Sequence, residues 1–555
     1  MFIFYALSGL FTLLAWLIAD GYPPWVTVYQ ETSMIFGLLF LFLAMIAKPI
    51  KVPKISITWI ALIFFPIFQY LLNIVYYRQD ALVSSSYLFL FWLAFILGFN
   101  CINNSKKNVL DNTFNFSTQI NPVIQGFLMI IVMAALINVF IALAQWLMLE
   151  SSIWTLGIKV GSRPYGNFGQ PNHLATMVSM GLIAVLIQYE NNFINKYLAV
   201  FIGSILLFGS VITQSRTAWL FSIFLIICWL VKGKNLNLKF RINNLLVWVS
   251  IYSLLLLTIP YITRFLGLSG YEQYGNRITA GFERLSMWQQ VLYAISKEPF
   301  FGYGWGQIRA GLMETVYGFP NPRNFESSHN LLLDLIIWNG LPIGIAVDAL
   351  IVMCLWKIYR SRLNKNTFMF LVLGLPIFIH SLLEYPLSYA FFLIPFGFIL
   401  GLAYSYSDKD LHVIEIPKYI SIIGTNIFLI ILVVFVVEYI SMFQKTQQVR
   451  YENAGLTDKI MYVKNNELNI FTDKFEDYIW FYRLDLSKEL TEKDLEKIEH
   501  LYKANPDFPV IAKYIHAQYK IGNIEKAKEA EHIIKIFYPK KFTSVKTNSS
   551  SMNSD

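Results

Sequence analysis

The sequence predicts an all-α, polytopic helical membrane protein, and three observations carry that prediction. The 555 residues are 56% hydrophobic and 14% charged, where soluble globular chains are roughly a quarter charged. Apolar runs long enough to cross about 30 Å of hydrocarbon recur from residue 2 to residue 442. The short connectors between them alternate between lysine-rich and lysine-poor, as the turns of a membrane bundle do. A transmembrane β-barrel is excluded, because barrel strands are about ten residues long and alternate polar with apolar.

Thirteen spans follow in order, near residues 2–19, 33–48, 55–75, 83–100, 124–147, 172–188, 197–213, 217–231, 245–263, 330–356, 367–383, 387–405 and 419–442. The first, FIFYALSGLFTLLAWLIAD, lacks the basic start and small-residue cleavage site of a signal peptide, and reads as a retained span. Alternate turns carry Lys48, Lys51 and Lys54; Lys106 and Lys107; Lys196; Lys232, Lys234, Lys239 and Arg241; Lys357, Arg360, Arg362 and Lys365; and Lys409 and Lys418. The positive-inside rule therefore puts the N-terminus in the cytoplasm, and an odd number of spans puts the C-terminus outside. In a Gram-negative cell, outside is the periplasm. These turns hold most of the basic residues behind the net charge of +9, so no nucleic-acid partner is implied. Cys101, Cys228 and Cys354 lie in spans or at their cytoplasmic ends, which argues against a disulfide framework and a zinc cluster.

Three regions outside the spans are long: 148–171, 264–329 and the tail from 443. Loops as long as 264–329 are functional or disordered, and its aromatics and glycines favour order. The tail reads as a small helical domain. Thr491 and Asp494 form a capping-box pattern before Leu495, Ile498 and Leu501. A helix–turn–helix follows, turning at Gly522 and Asn523, like one tetratricopeptide-type unit without a second copy. The organisation is thus a transmembrane domain over 1–442, a helical tail over 443–540 and a polar, disordered end at 541–555.

Once the orientation is set, unusual polar residues collect on the outer face. Arg163, Gln170, Asn172 and His173 lie in GSRPYGNFGQPNHLA, and Arg216 in TQSRTAWL. Arg277 and Arg284 lie in GNRITAGFERLSMW, His329 and Asn330 in ESSHNLLLDL, and His380, Glu384 and Tyr385 in HSLLEYPLSYAFFL. A membrane-border arginine such as Arg216 needs a reason: it snorkels to a headgroup, or it offers its planar fork to a phosphate. His329, where the long loop re-enters the membrane, is either a polar helix cap with Ser327, Ser328 and Asn330 or a neutral imidazole that accepts a proton at pH 7. Asp334, one turn further on, is within reach of orienting it. His380 and Glu384 are spaced i, i+4 and share a helix face, either to lock two helices or to serve a site. Asn172 and His173 read as loop or helix-start residues. Gly302, Gly304 and Gly306 in GYGWG lack the strand and helix of a nucleotide loop and read as a tight bend.

Several pieces together resemble one family. RPYGNFGQPNHLAT, TQSRTAW, ERLSMWQQVLYAISKEPFFGYGWGQ, SSHNLLLDLIIWNGLPIG and HSLLEYPLSYAFFLIPFGFILG occur in order, and GYPPWVTVYQE, with Pro23, Pro24 and Glu31, precedes them. They resemble the O-antigen ligase and polymerase superfamily and, within it, the bacterial O-oligosaccharyltransferases of the pilin-glycosylation type. The resemblance implies a GT-C-like glycosyltransferase of the inner membrane whose active site faces the periplasm. It implies transfer of a preassembled oligosaccharide from undecaprenyl pyrophosphate to Ser or Thr of a periplasmic protein such as a type IV pilin, with no nucleotide sugar, metal or other cofactor. His329 takes the place of the catalytic base, and Arg163, Arg216 and Arg284 hold the pyrophosphate. Gln170 and Tyr385 match residues of the protein-glycosylating branch, and Glu384 and Arg277 complete the substrate-site set. The competing readings are an O-antigen polymerase or lipid A-core ligase with the same donor, and a transporter or flippase. The last would show internal repeats and ionisable residues at mid-membrane, whereas the polar residues here collect at one face.

Overall fold

The computed structural model describes all residues except 20, 22, 104–119, 150, 151, 160, 269–274, 361–363, 408–411, 457–468 and 543–555, and except the side chains of 234, 275–282 and 360. In chain order the described residues form α1 (Phe2–Leu17), α2 (Val28–Met45), β1 (Ile50–Pro53), α3 (Thr58–Leu71), α4 (Arg78–Asn103), α5 (Pro122–Trp146), α6 (Pro171–Glu190), α7 (Lys196–Thr213), α8 (Arg216–Val231) and α9 (Ile242–Phe265). The long loop contains α10 (Gly275–Lys297) and α11 (Ile308–Met313). After it come α12 (Leu331–Arg360), α13 (Lys365–Ser381), α14 (Ala390–Ser407), β2 (Val413–Ile416) and α15 (Lys418–Asn453). The tail supplies α16 (Asp473–Arg483), α17 (Glu492–Ala504), α18 (Phe508–Lys520) and α19 (Ile524–Phe537). Ten helices are long and apolar enough to cross a membrane, and α1, α8 and α13 are shorter apolar helices. Each of the thirteen expected spans therefore has its helix, in a chain that is helical almost throughout.

These elements divide into two compact units. The first comprises residues 1–60, 87–278 and 352–425. Its neighbouring helices pair in antiparallel fashion, α1 with α2, α5 with α6, α6 with α7 and α13 with α14. Small residues let backbones approach closely, as they do where helices pack in lipid. A Cβ built on Gly401 would lie 2.0 Å from the Phe95 carbonyl oxygen, and one on Gly98 would lie 2.2 Å from that of Phe398. A small antiparallel sheet that the sequence reading did not include pairs β1 with β2, Lys51 opposite Glu415. Asn100 pins it, accepting from the Lys51 N–H at 3.0 Å and donating to the Lys51 carbonyl at 2.7 Å.

The second unit comprises residues 61–86, 279–351 and 426–555. Its organising feature is a break in α12 at Gly340, where φ is 75°. Pro342 has no N–H to offer the Trp338 carbonyl. The glycine-rich loop repairs the gap: Tyr303 N–H donates to the Ile337 carbonyl at 2.9 Å, Gly304 N–H to that of Trp338 at 3.0 Å, and Leu341 N–H to that of Pro299 at 2.7 Å. Gln69 adds a bond to the Trp338 carbonyl at 3.0 Å. The tight bend expected at GYGWG thus has a purpose, since a broken helix is tolerated in a membrane only where its freed groups are satisfied again.

In the same unit α17, α18 and α19 build a core from Ile498, Leu501, Val510, Ile511, Ala517, Ala530 and Ile533, onto which Tyr77 and Val316 pack. The capping box at Thr491 and Asp494 is present as expected. Asp473, at the start of α16, accepts the N–H groups of Arg78 at 3.1 Å and Gln79 at 2.9 Å, which caps α4. Burial raises the Asp473 carboxyl above its ordinary value, against the lowering effect of these bonds.

Candidate active site

In the first unit the polar stretch 161–175 is held from beneath by two amides inside apolar α5. Gln145 accepts the N–H groups of Tyr165 and Gly166 at 3.0 and 2.9 Å and donates to the Gly166 carbonyl at 2.9 Å. Asn138 accepts the Asn167 N–H at 2.9 Å and donates to the Trp16 carbonyl at 2.9 Å. Asn167, 1% exposed, donates to the carbonyls of Leu17 and Trp154 at 2.6 and 2.8 Å. Gly166 has φ 60°, and a Cβ there would lie 2.7 Å from the Asn138 side-chain oxygen, so glycine is required on both counts. A loop this thoroughly bonded is built, not filler.

Three motifs then converge at one end of this unit. Asn172, in the first turn of α6, accepts the Ser215 hydroxyl at 2.8 Å and lies 3.5 Å from the Glu384 carboxylate. Ser215 is also the N-cap of α8, accepting the Thr217 N–H at 3.2 Å. The guanidinium of Arg163 lies 3.5 Å from the carbonyls of Thr213 and Gln214, just before that cap. Arg216 is the first residue of α8, a position where the helix dipole disfavours a cation by about 0.3–1 kcal/mol. Gln170 is the N-cap of α6, yet its side chain makes no capping bond.

Beneath this end lies a buried layer. The Thr176 hydroxyl is 2.8 Å from His380 Nδ1 and 3.0 Å from the Asn172 carbonyl. The edge-on rings of His173 and His380 lie 5.3 Å apart, and Tyr389 lies 5.0 Å from His173. Tyr389 in turn stacks with Tyr385 at 6.2 Å. Glu31 closes the layer, accepting the Tyr87 hydroxyl at 3.0 Å and the N–H of Ala390, the first residue of α14, at 2.6 Å.

In the second unit His329 adopts the left-handed backbone conformation, φ 56°, which costs a non-glycine residue about 1 kcal/mol. Its neighbours enforce it. The His329 N–H donates to the Ser327 hydroxyl at 3.0 Å, and Asn330 caps α12 by accepting the N–H groups of Leu332 and Leu333 at 3.1 and 3.3 Å. Trp288 donates its indole N–H to the Ser328 carbonyl at 2.9 Å. Arg284 lies one turn before Trp288, so the two share a face of α10.

Two sequence readings gain detail. The Asp334 carboxylate accepts the Ser327 hydroxyl at 2.8 Å and the Ser328 N–H at 2.9 Å. It fixes the turn that carries the histidine. Asn172 and His173 do begin a helix, but they are more than loop residues, since Asn172 joins three motifs and His173, 4% exposed, centres the buried layer. The His380–Glu384 pair does lock helices, each through a residue of α6. Arg277 lies among the side chains outside the described ones. Sequence reasoning missed Asn138, Gln145 and Gln69, although amides within apolar spans are a recognised signal of a site.

With this geometry in place, comparison with known proteins gives the class. The chain matches the family model described as O-Antigen ligase over residues 198–347, and that described as Protein glycosylation ligase over 164–186. Residues 368–550 match the C-terminal part of a virulence factor membrane-bound polymerase. A chain with ten helices apolar and long enough to cross a membrane among its described residues thus carries stretches similar to an O-antigen ligase and a protein glycosylation ligase, the resemblance that its motifs imply. At 28% identity over 98% of its length it is similar to the General O-oligosaccharyltransferase of Acinetobacter baylyi, 94% of which is covered. At 29% identity over 92% of its length it is similar to the ComP-specific O-oligosaccharyltransferase of the same organism, 90% of which is covered.

Proposed function

We propose that the chain catalyses O-linked protein glycosylation, moving a preassembled oligosaccharide from undecaprenyl pyrophosphate to a Ser or Thr hydroxyl of a periplasmic protein, with a type IV pilin as the first acceptor to test. The observation that carries this reading is the similarity, along almost the whole chain, to two O-oligosaccharyltransferases. The positive-inside pattern supports an inner-membrane protein whose motif end faces the periplasm.

In the proposed reaction the acceptor hydroxyl attacks the anomeric carbon opposite the pyrophosphate. The new C–O bond forms as the bond to phosphate breaks, with inversion at that carbon. The hydroxyl proton passes to the imidazole of His329 and the electron pair leaves with the pyrophosphate. The strained, multiply bonded turn supports a catalytic role for His329, since such strain collects at functional sites. Arg163 and Arg216 suit the charge that develops on the leaving group, because preorganised donors there lower the barrier most. Arg216 also stands at a helix N-terminus, where the dipole favours an anion. Arg284 shares this role, and Gln170, Tyr385, Glu384 and Arg277 line the substrates.

The test is expression of the wild type and His329→Ala with a lipid-linked glycan and a pilin, read by intact mass. The expected result is one glycan added to the pilin by the wild type and none by the variant. Glycan on lipid A instead would favour the O-antigen ligase reading, and full activity in His329→Ala would remove the histidine from its role.

A further inference from the structure

The segment that leads into the His329 turn is held by the tail. Asn324 donates to the Pro506 carbonyl at 3.0 Å and to the Tyr538 hydroxyl at 2.8 Å. Arg309, on α11, donates to the Asn505 side chain, to Asp507 at 2.5 Å and to Glu326 at 2.6 Å. Glu326 is three residues before His329. Asn505 is the C-cap of α17 and Asp507 the N-cap of α18, so one tight turn of the tail supports both ends of the approach. The Arg309 side chain is 16% exposed, and charge-assisted bonds in such a setting outweigh surface ion pairs. Phe537 of α19 packs against the cluster of Val291, Ile295, Ile308, Leu312 and Ile337, which joins the tail to the helices on either side of the same turn.

We propose that Arg309 is a positioning residue for His329, and that the Asn505–Asp507 turn of the tail is its anchor. The tail then sets the geometry of the reacting turn. This rests on the reading of His329 as the base. The physical reason is the sensitivity of such steps to placement: an error of about 1 Å can cost on the order of a hundredfold in rate. Of the other supports, Trp288 and Asp334 act on Ser327 and Ser328 and Gln290 of α10 holds the backbone of Arg323 at 3.0 Å, while the tail holds Asn324 and, through Arg309, Glu326.

The experiment uses the full-length enzyme in membranes, with Arg309→Gln, Arg309→Lys and Asn324→Ala. Asn324→Ala removes only the second pair of contacts and serves if Arg309→Gln does not accumulate. Two quantities are read: hydrogen–deuterium exchange over residues 321–330, and transfer kinetics at varied acceptor. The expected result is faster exchange and a kcat at least tenfold lower, with acceptor KM within twofold of the wild type, and substantial recovery of both in Arg309→Lys. Unchanged exchange in Arg309→Gln and Asn324→Ala would overturn the proposal. A raised acceptor KM with normal kcat would overturn it in favour of docking. Faster exchange with unchanged turnover would leave the anchor standing and remove the His329 turn from the chemistry, which is a failure of the underlying reading.

Discussion

The hydroxyl of Ser215 donates to the side-chain oxygen of Asn172 at 2.8 Å, across 43 residues of chain. One bond thus joins the start of α6 to the cap of α8, and Glu384 stands on the other side of the same amide. Asn172→Ala leaves Ser215 without this acceptor, a loss of about 1 kcal/mol. Asn172→Asp keeps an acceptor but sets a second carboxylate against Glu384. Transfer activity at equal membrane expression should therefore fall in the order wild type, Ala, Asp, and equal activity of all three would remove this amide from the site.

Gln145 carries the loop above it. Gln145→Ala orphans the Tyr165 and Gly166 N–H groups, at about 1–3 kcal/mol for each buried donor left unpaired. Gln145→Glu retains the acceptor. The alanine variant should insert normally yet become more sensitive to trypsin at Lys159 and lose transfer, while the glutamate variant should keep the loop protected.

Gly340 admits no side chain. A Cβ there would lie 2.2 Å from the Phe300 carbonyl oxygen, and its positive φ adds strain. Gly340→Ala should cost more than about 3 kcal/mol, in the range of the severest single substitutions, and abolish accumulation in the membrane, as quantified by immunoblot. Gly126→Ala, where a Cβ would meet nothing within 4 Å, is the control expected to accumulate normally.

Asp494 provides a pH dependence. Its carboxylate accepts the Thr491 hydroxyl and N–H at 2.7 and 2.9 Å, and these bonds lower it below its ordinary 3.8. A lowered carboxyl contributes stability above its unfolded value, and that contribution is lost as pH falls through the folded one. Asp494→Asn should therefore destabilise α17 at neutral pH by about 1 kcal/mol or less. Thermal melts of the solubilised full chain should show the difference closing as pH falls below the ordinary aspartate range.

What the sequence could disclose followed from how local each feature was. The spans were legible because apolar length alone specifies them, and even short α8 was found. The Thr491 box and the GYGWG bend were legible because their residue types sit within a few positions of one another. The break at Gly340 was not, because glycine and proline are common in membrane helices and the loop that repairs this break lies some forty residues earlier in the chain. The polar, amphipathic α10 fell below the hydropathy of a span. Asn172 was undervalued because its importance lies in Ser215 and Glu384, which no local pattern ties to it. His329 was conspicuous, but the bonds of Asp334 to Ser327 and Ser328 were not, since spacing alone does not show which neighbouring groups a carboxylate accepts from.

The break in α12 also has a consequence for how the chain is made. A span whose Trp338 carbonyl is bonded by Gly304 and Gln69 is not a finished helix when it leaves the insertion machinery. It matures only after residues 299–306 have folded back onto it. Biogenesis is therefore sequential at this point, with docking of the loop as a checkpoint. A tag or protease site inserted between Pro299 and Gln307 should stall assembly, where one placed at exposed Ile153 or Trp154 should not.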